Sequence, residues 1–307
     1  GLFEARLGAE EMPEKEVHVF CAGYRADEFE ELLQYADHIV FNSPTQLLRF
    51  GPGAKEAGKS VGLRINPECS TQNGHEIYDP CAPGSRMGTT RAQWDEAFQK
   101  NPELLDLLEG IHFHTLCEQD SDDLETTLVF VKKHFGDLAS RVKWINFGGG
   151  HHITRPGYDI ERLERCIRMA KDEWKVEVYL EPGEAWALNA GFLLTRVLDV
   201  LKNGKTEIAI VDASAACHMP DVLEMPYRPP LLGADDTEED RITVRLGGPT
   251  CLSGDVIGDY KFRQLPKYGD ILMFGDMAIY TTCKNNTFNG MPLPDIWLRR
   301  ADNTMQQ

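Results

Sequence analysis

The residue types that could carry chemistry stand mostly at the ends of short apolar runs. The apolar run at residues 144–147 ends abruptly in Gly148, Gly149 and Gly150. A glycine loop places no side chain in the way, so its backbone N–H groups can close around an anion, typically a phosphate. Three glycines taken alone are more typical of a flexible turn. Their position directly after an apolar run favours a phosphate-binding loop.

Two histidines stand at the end of another apolar run. His112 and His114 are two residues apart, so on a strand both side chains lie on the same face. Such a pair is typical of a metal site, of a ring stacked on a cofactor, or of buried core histidines. A metal site would need further ligands at other strand ends, and a glycine loop holds His151 and His152 poorly for that purpose. We therefore predict no metal.

Two further residues have neighbours that suggest a chemical role. Glu181 stands at the tip of an apolar run, directly before Pro182 and Gly183. A carboxylate there can hold a proton on the ring nitrogen of a cofactor; the alternative is a surface glutamate beside a turn. Cys251 lies in a loop rich in glycine and proline, where a thiol can act as an acid or a nucleophile. A lone cysteine is more often inert.

The composition limits the classes of protein that are possible. The 307 residues carry a formal net charge of −17, which argues against a nucleic-acid partner and suits a cationic substrate. A generally acidic surface explains the charge equally well. No apolar run is long enough for a membrane segment. The eight cysteines include no CxxC pair, so neither zinc nor a disulfide framework is expected, and we predict a cytoplasmic protein.

Strand and helix patterns alternate along the first part of the chain, which is typical of a parallel sheet covered on both faces. Six strands are predicted, at residues 17–21, 38–41, 61–65, 110–114, 144–147 and 176–180. Helices are predicted at residues 1–8, 26–36, from about 45, 91–108, 122–135 and 160–172. A closed barrel of this kind needs eight strands.

After about residue 190 the pattern changes to strands that are separated by turns. Strands are predicted at residues 192–200, 207–212, 241–246 and 270–274, and residues 235–240 form an acidic loop. We therefore divide the chain into a barrel domain at residues 1–190 and a β domain at residues 191–307. The predicted fold class is α/β: a (β/α)8 barrel followed by a β-sandwich or β-barrel domain.

Taken in chain order, the motifs resemble those of the fold III pyridoxal-phosphate decarboxylases, which include the ornithine and diaminopimelate decarboxylases. The set comprises the strand ending in His114, the three glycines, Glu181 with Pro-Gly, the Gly-Pro-Thr-Cys stretch ending at Cys251, Tyr280, and Phe288-Asn289-Gly290. Each motif is weak alone, whereas the ordered set is specific and spans residues 1 to about 298. The stretches around His151, Glu184 and Leu252 are most similar to the carboxynorspermidine and carboxyspermidine decarboxylases of that family.

The resemblance implies a role in cofactor binding for several residues. His114 would stack on the pyridine ring of pyridoxal phosphate, and Glu181 would pair with the ring nitrogen. The backbone of the three glycines would hold the phosphate, together with the hydroxyl of Tyr280.

The resemblance also implies roles in catalysis and substrate binding. Cys251 would come from the partner subunit of a homodimer with shared active sites, and would protonate the carbon that has lost CO₂. Asp212 and Asp255 lie where relatives contact the amines of the substrate. The catalytic set is thus Cys251 together with His114 and Glu181.

The chain departs from the family pattern at three places. Relatives usually have Arg after Glu-Pro-Gly, where this chain has Glu184, and diaminopimelate decarboxylases have an acidic residue where this chain has Leu252. Both departures favour a triamine product. Family members also bind the cofactor through a lysine at the end of the first barrel strand. The six strands here correspond to the third to eighth, so we expect that lysine and the first two strands to precede Gly1.

The resemblance therefore predicts a pyridoxal-phosphate-dependent lyase that acts on carboxynorspermidine or carboxyspermidine in polyamine biosynthesis. The alternatives are a diaminopimelate- or ornithine-type decarboxylase, an inactive regulatory relative, and a metal-dependent barrel hydrolase that uses His112 and His114. The expected partners are a small polyamine substrate and a second copy of the chain, with neither nucleic acid nor a membrane.

Overall fold

The structure, a computed structural model, describes residues 1–72, 79–234 and 241–307. The chain divides into two units, Gly1–Trp186 and Ala187–Gln307. The boundary that we predicted after residue 190 lies shortly beyond this division and stays a prediction. The acidic loop predicted at residues 235–240 lies outside the described residues.

The first unit contains a six-stranded parallel sheet whose strands neighbour one another in chain order. The strands are β1 His18–Cys21, β2 His38–Phe41, β3 Ser60–Arg64, β4 Gly110–His112, β5 Trp144–Asn146 and β6 Glu177–Tyr179. All four residues of β2 are buried, as expected for an inner strand of a parallel sheet. This order of strands is that of a (β/α) barrel wall, and the prediction of a parallel α/β unit is confirmed.

Helices connect the strands and cover the sheet. They are α1 Leu2–Glu11, α2 Phe29–Tyr35, α3 Pro44–Glu56, α4 Arg91–Lys100, α5 Leu104–Leu107, α6 Ser121–Ala139, α7 Ile160–Trp174 and α8 Gly183–Ala187. The apolar residues of α6 recur at helical spacing, so Leu124, Leu128 and Val131 are all buried on one face,.

The single helix predicted at residues 91–108 is wrong, because the structure has two helices there. α4 begins after Thr90, whose side chain accepts the N–H of Gln93 in a capping box,. It ends before Asn101, which has the non-helical angles φ −140° and ψ 76°. Pro102 follows directly, and a proline both lacks an N–H donor and disfavours helical dihedrals in the residue before it.

Trp144 crosses two neighbouring strands and leaves room there only for glycine. The indole N–H donates to the hydroxyl of Ser60 at 2.8 Å. A Cβ added to Gly110 would lie 2.0 Å from the indole ring, and one added to Gly62 would lie 2.4 Å from it. The ring is 3% exposed, so it packs the interior of the sheet at the start of β3 and β4.

The second unit contains a five-stranded sheet with the order β10-β9-β8-β7-β11. The strands are β7 Leu193–Asn203, β8 Thr206–Val211, β9 Ile242–Gly247, β10 Val256–Phe262 and β11 Ile271–Phe274. The short elements are α9 Ala215–His218, α10 Asp221–Glu224, α11 Tyr280–Cys283 and the hairpin of β12 Leu298–Arg299 and β13 Met305–Gln306. β10 is absent from the predicted strands, since Gly258 and Asp259 interrupt its apolar pattern. The predicted change to a β domain is confirmed.

The cysteines and the helices both bear on the sequence predictions of disulfides and membrane segments. All eight cysteines are free thiols, and the predicted cytoplasmic location stays a prediction. Within the described residues, no helix has the length and apolar character that crossing a bilayer requires.

The contact between Trp144 and Gly110 predicts the effect of adding a methyl group. Gly110→Ala forces the methyl into the indole ring and should lower the free energy of unfolding by about 1–3 kcal/mol. Gly53→Ala is the matched control, because its Cβ meets no atom within 4 Å and alanine favours the helix by roughly 0.5–1 kcal/mol. Urea denaturation of both variants gives the comparison, and equal effects at the two positions would contradict this packing.

Candidate active site

Three polar side chains meet at the carboxyl ends of neighbouring strands in the first unit. His112 ends β4, Asn146 ends β5, and Glu181 follows β6. Barrel enzymes place their catalytic groups at this edge of the sheet. One carboxylate oxygen of Glu181 lies 3.2 Å from His112 Nε2, and the other accepts a hydrogen bond of 2.8 Å from the Asn146 amide. We call these three residues the carboxylate cluster.

Glu181 is the charged member of the carboxylate cluster. Burial raises the pKa of Glu181, but the hydrogen bond and charge of His112, the charge of His114 and the hydrogen bond from Asn146 together outweigh it and lower the pKa to about 2. Burial lowers the pKa of His112, against the effect of Glu181. We therefore assign a carboxylate to Glu181 and a neutral ring, with its proton on Nε2, to His112. The Glu181 side chain remains 38% exposed, so the anion is accessible to a ligand.

Asn146 is a member of the cluster to which the sequence analysis assigned no role. Its amide nitrogen donates to Glu181, and its Oδ1 accepts the backbone N–H of Gly148 at 2.8 Å. The residue is 1% exposed, and both ends of its amide are used, so its orientation is determined. A polar residue at the end of an apolar run, close to the glycines, was the available signal. Asn146 links the carboxylate to the glycine loop.

The glycine loop is enclosed by the neighbouring strand ends. Gly148 and Gly150 have φ values of +71° and +79°, and a Cβ on either would lie 2.4 Å or less from the carbonyl oxygen of Phe113 or Leu116. Only glycine suits such positions. Among the described residues, the backbone N–H groups of Gly149 and Gly150 have no acceptor. Two unpaired N–H donors at a strand end form a cradle of the kind that binds phosphate.

His114 lies beside this loop, since a Cβ on Gly149 would be 3.0 Å from His114 Cε1. Burial and the nearby Arg64 lower the pKa of His114 to about 4. The Arg64 guanidinium donates to the backbone oxygen of His114 at 3.1 Å and lies 4.5 Å from the centre of the Phe20 ring. At neutral pH His114 is therefore an uncharged ring, which is suited to stack on another aromatic ring.

These groups fit a phosphorylated pyridine cofactor. An ionised carboxylate can keep a ring nitrogen protonated, a neutral imidazole can cover the ring, and free backbone N–H groups can bind the phosphate. The structure brings Glu181, His114 and the three glycines together at one edge of the sheet. Their individual roles stay predictions.

Cys251 and Tyr280 belong to the second unit. Cys251 is exposed, and its backbone N–H donates to Asn289 Oδ1 at 3.0 Å. Asn289 has a φ of +58°, a left-handed conformation in which asparagine is enriched. The sequence analysis noted Asn289 only as part of a motif, whereas the structure shows that it holds the Cys251 loop. Tyr280 begins α11 and is half exposed.

The two aspartates that were predicted to contact substrate make hydrogen bonds within the second unit. Asp255 is 3% exposed and accepts hydrogen bonds from the hydroxyls of Ser214 at 3.0 Å and Thr250 at 2.7 Å. Because Thr250 directly precedes the predicted acid, Asp255 holds that loop. Asp212 accepts a hydrogen bond of 2.5 Å from the Thr195 hydroxyl. Contact between either aspartate and a substrate stays a prediction.

Comparison with known proteins places this site in a family. The family described as pyridoxal-dependent decarboxylase, C-terminal sheet domain, matches residues 24–278. The chain therefore belongs to the pyridoxal-dependent decarboxylases of fold III, and the family resemblance of its motifs is confirmed.

Within that family, the chain is similar to two polyamine-related enzymes. It is 40% identical to a carboxynorspermidine/carboxyspermidine decarboxylase of Campylobacter jejuni, a match that covers 100% of this chain and 80% of the relative. It is 41% identical to a carboxyaminopropylagmatine decarboxylase of Synechocystis, covering 98% of this chain and 76% of the relative.

The fold of this chain also matches that of a solved relative. The crystal structure of the Campylobacter jejuni carboxynorspermidine decarboxylase, solved with norspermidine, matches with a TM-score of 0.86 and 39% identity. The match covers 100% of this chain and 81% of that one. The barrel-type unit and the following sheet unit thus have the arrangement of elements found in this family.

The pKa of Glu181 predicts how stability changes in acid. Its folded value of about 2 lies below that of an exposed glutamate, roughly 4.3. Glu181 therefore contributes stability above about pH 4.3 that is lost as the pH falls toward its folded pKa. The free energy of unfolding should decline more steeply in acid for the wild type than for Glu181→Gln. Urea titrations between about pH 6 and pH 3 measure this decline. Glu177→Gln, at the exposed first position of β6, is the control. Identical pH dependence in the wild type and Glu181→Gln would refute the low pKa of Glu181.

Proposed function

We propose that this protein is a pyridoxal-phosphate-dependent carboxy-lyase that converts carboxynorspermidine or carboxyspermidine to norspermidine or spermidine, a step of polyamine biosynthesis. The observation that carries the proposal is the ionised Glu181, held by His112 and Asn146 beside a glycine loop with unpaired N–H groups. The substrate class follows from relatives that carry this name and match the whole chain.

Each end of the cofactor would meet a different group of this chain. When bound, pyridoxal phosphate supplies an electron sink for the bond that loses CO₂. Glu181 would keep the ring nitrogen protonated, because a carboxylate with a pKa of about 2 stays ionised beside it. The N–H groups of Gly149 and Gly150 would bind the phosphate, with Tyr280 adding a hydroxyl. The neutral ring of His114 would cover the face of the pyridine.

Cys251 would donate the proton that replaces the carboxylate of the substrate. Its thiol is exposed, and hydrogen bonds to Asn289 and Asp255 hold the loop that carries it. A thiol in a held loop can protonate a carbon without a large rearrangement of the backbone. We place this thiol in the active site of a second subunit, so that a homodimer combines Glu181 of one copy with Cys251 of the other.

Carboxyaminopropylagmatine is a second candidate substrate, because the Synechocystis relative named for it is 41% identical to this chain. The two kinds of substrate differ at the end far from the reacting carbon. Carboxynorspermidine and carboxyspermidine end in an ammonium group, which is a compact charge with three donors. An agmatine end carries a guanidinium group, a planar fork that pairs with carboxylates through two parallel hydrogen bonds.

The proposal predicts both a spectrum and a substrate order. The purified full-length protein should show the visible absorbance of bound pyridoxal phosphate, and borohydride should attach the cofactor to a lysine that peptide mass identifies. CO₂ release should then be faster with carboxynorspermidine or carboxyspermidine than with carboxyaminopropylagmatine, diaminopimelate or ornithine. Faster CO₂ release from carboxyaminopropylagmatine would identify that compound as the substrate instead. A colourless protein that binds no pyridoxal phosphate would remove the enzymatic proposal and favour an inactive relative.

The role of Cys251 predicts a loss of turnover without a loss of cofactor. Cys251→Ala should lower kcat by about 10²-fold or more, the usual effect of removing a general acid, and leave the affinity for pyridoxal phosphate unchanged. Ser253→Ala, two residues further on in the same exposed loop, is the matched control. A comparable fall in cofactor affinity would contradict the role as acid. Mixing Cys251→Ala with Glu181→Gln protein should restore part of the activity, since one site of each mixed dimer is intact; no recovery would argue against shared sites.

A further inference from the structure

A second set of charged side chains lies beside the glycine loop, apart from the cofactor contacts described above. Glu118, His152 and Glu184 bring one ligand atom each within 4.8 Å of one another. His152 Nε2 lies 3.5 Å from a carboxylate oxygen of Glu184, and the two side chains are 8% and 16% exposed. A pair this well removed from water is less screened than a surface ion pair.

The pair joins two segments that both belong to the candidate active site. His152 follows the glycine loop, and Glu184 follows Glu181. Two hydrogen bonds of 2.8 Å connect the same segments: the Glu181 N–H donates to Gly148 O, and the Thr154 hydroxyl donates to a carbonyl oxygen of α8. The ion pair and these two hydrogen bonds therefore join the two segments at three points.

Charge favours the ion-paired form of His152. The hydrogen bond to Glu184 raises the pKa of His152, and the charges of Glu184 and Glu118 raise it further. Burial and the charge of Arg155 lower it, but the net pKa is raised. The imidazole is thus more easily protonated than an exposed histidine, and the carboxylates of Glu184 and Glu118 both lie near it,.

We propose that His152 and Glu184 are positioning residues for the cofactor, because their ion pair links the glycine loop to the Glu181 segment and so sets the spacing between the phosphate end and the ring-nitrogen end of the site. The inference rests on the proposed function, since it requires one ligand to engage both ends. Asn146 links the same segments through Gly148 and Glu181. Because Asn146 and the two other hydrogen bonds between these segments remain, loss of the ion pair should weaken binding rather than abolish it.

The test is a double-mutant cycle on cofactor affinity. Apoprotein prepared from the full-length chain is titrated with pyridoxal phosphate, and quenching of tryptophan fluorescence gives Kd. His152→Gln and Glu184→Gln should each raise Kd on the order of tenfold, and the double variant should raise it no further. Glu164→Gln, which removes an exposed carboxylate from α7, is the matched control. Unchanged affinities, or losses that add in the double variant, would overturn the pairing.

The pH profile separates this role from a merely structural one. A raised pKa means that the ion pair is complete below about 6.5 and is lost as the pH rises through the folded value. Wild-type Kd should therefore rise with pH across that range, beyond the change caused by ionisation of the phosphate itself. His152→Lys keeps a cation at higher pH, so it should retain affinity where the wild type loses it. Circular dichroism checks that each variant is folded.

The outcomes distinguish this inference from the proposed function. A wild type that binds no pyridoxal phosphate at any pH would defeat the proposed function. If the wild type binds pyridoxal phosphate and the variants bind it equally well, only the positioning role would be defeated. One histidine and two carboxylates are also ligand types for Zn²⁺, so each protein is titrated with zinc as well. Stoichiometric zinc that is lost in both variants, with no change in Kd for pyridoxal phosphate, would overturn the proposal in favour of a metal site.

Discussion

A partly exposed carboxylate that must stay ionised is the constraint on which the candidate active site depends. Taking a charge out of water costs free energy unless hydrogen bonds replace the lost solvation. Glu181 receives that compensation from His112 and Asn146. Both donors are almost fully buried and come from neighbouring strands, so the sheet has to form before the carboxylate can have its low pKa. The chemistry of the site therefore depends on strand order.

The same sheet edge brings the glycine loop to the carboxylate. Asn146 uses one end of its amide for Glu181 and the other for the Gly148 N–H, which joins the loop to the carboxylate. The ion pair of His152 and Glu184 joins the same segments a few residues further on. A cofactor with a cationic ring at one end and a phosphate at the other would bind more tightly if the carboxylate and the glycine loop are already at a fixed distance. The protein then loses little conformational freedom on binding.

In the second unit, hydrogen bonds hold the loop that carries the exposed Cys251. A thiol that delivers a proton has to be accessible, and Cys251 is exposed. Its loop is nevertheless held at two points, by the side chain of Asn289 and by the buried carboxylate of Asp255. Asp255 lies buried beneath the loop, and its contact with a substrate stays a prediction.

Much of this protein could be predicted from its sequence, because the signals were local. Strand and helix periodicity predicted all six parallel strands, and the order of motifs predicted the family. Local signals were misread at residues 91–108, where Pro102 ends the helix, and at β10, where Gly258 and Asp259 interrupt the apolar pattern. Tertiary structure decided the rest. Asn146 and Glu181 are 35 residues apart, and His112 and Glu181 are 69 apart. Their charge states, and the burial of Asp255, follow from contacts that no local pattern contains.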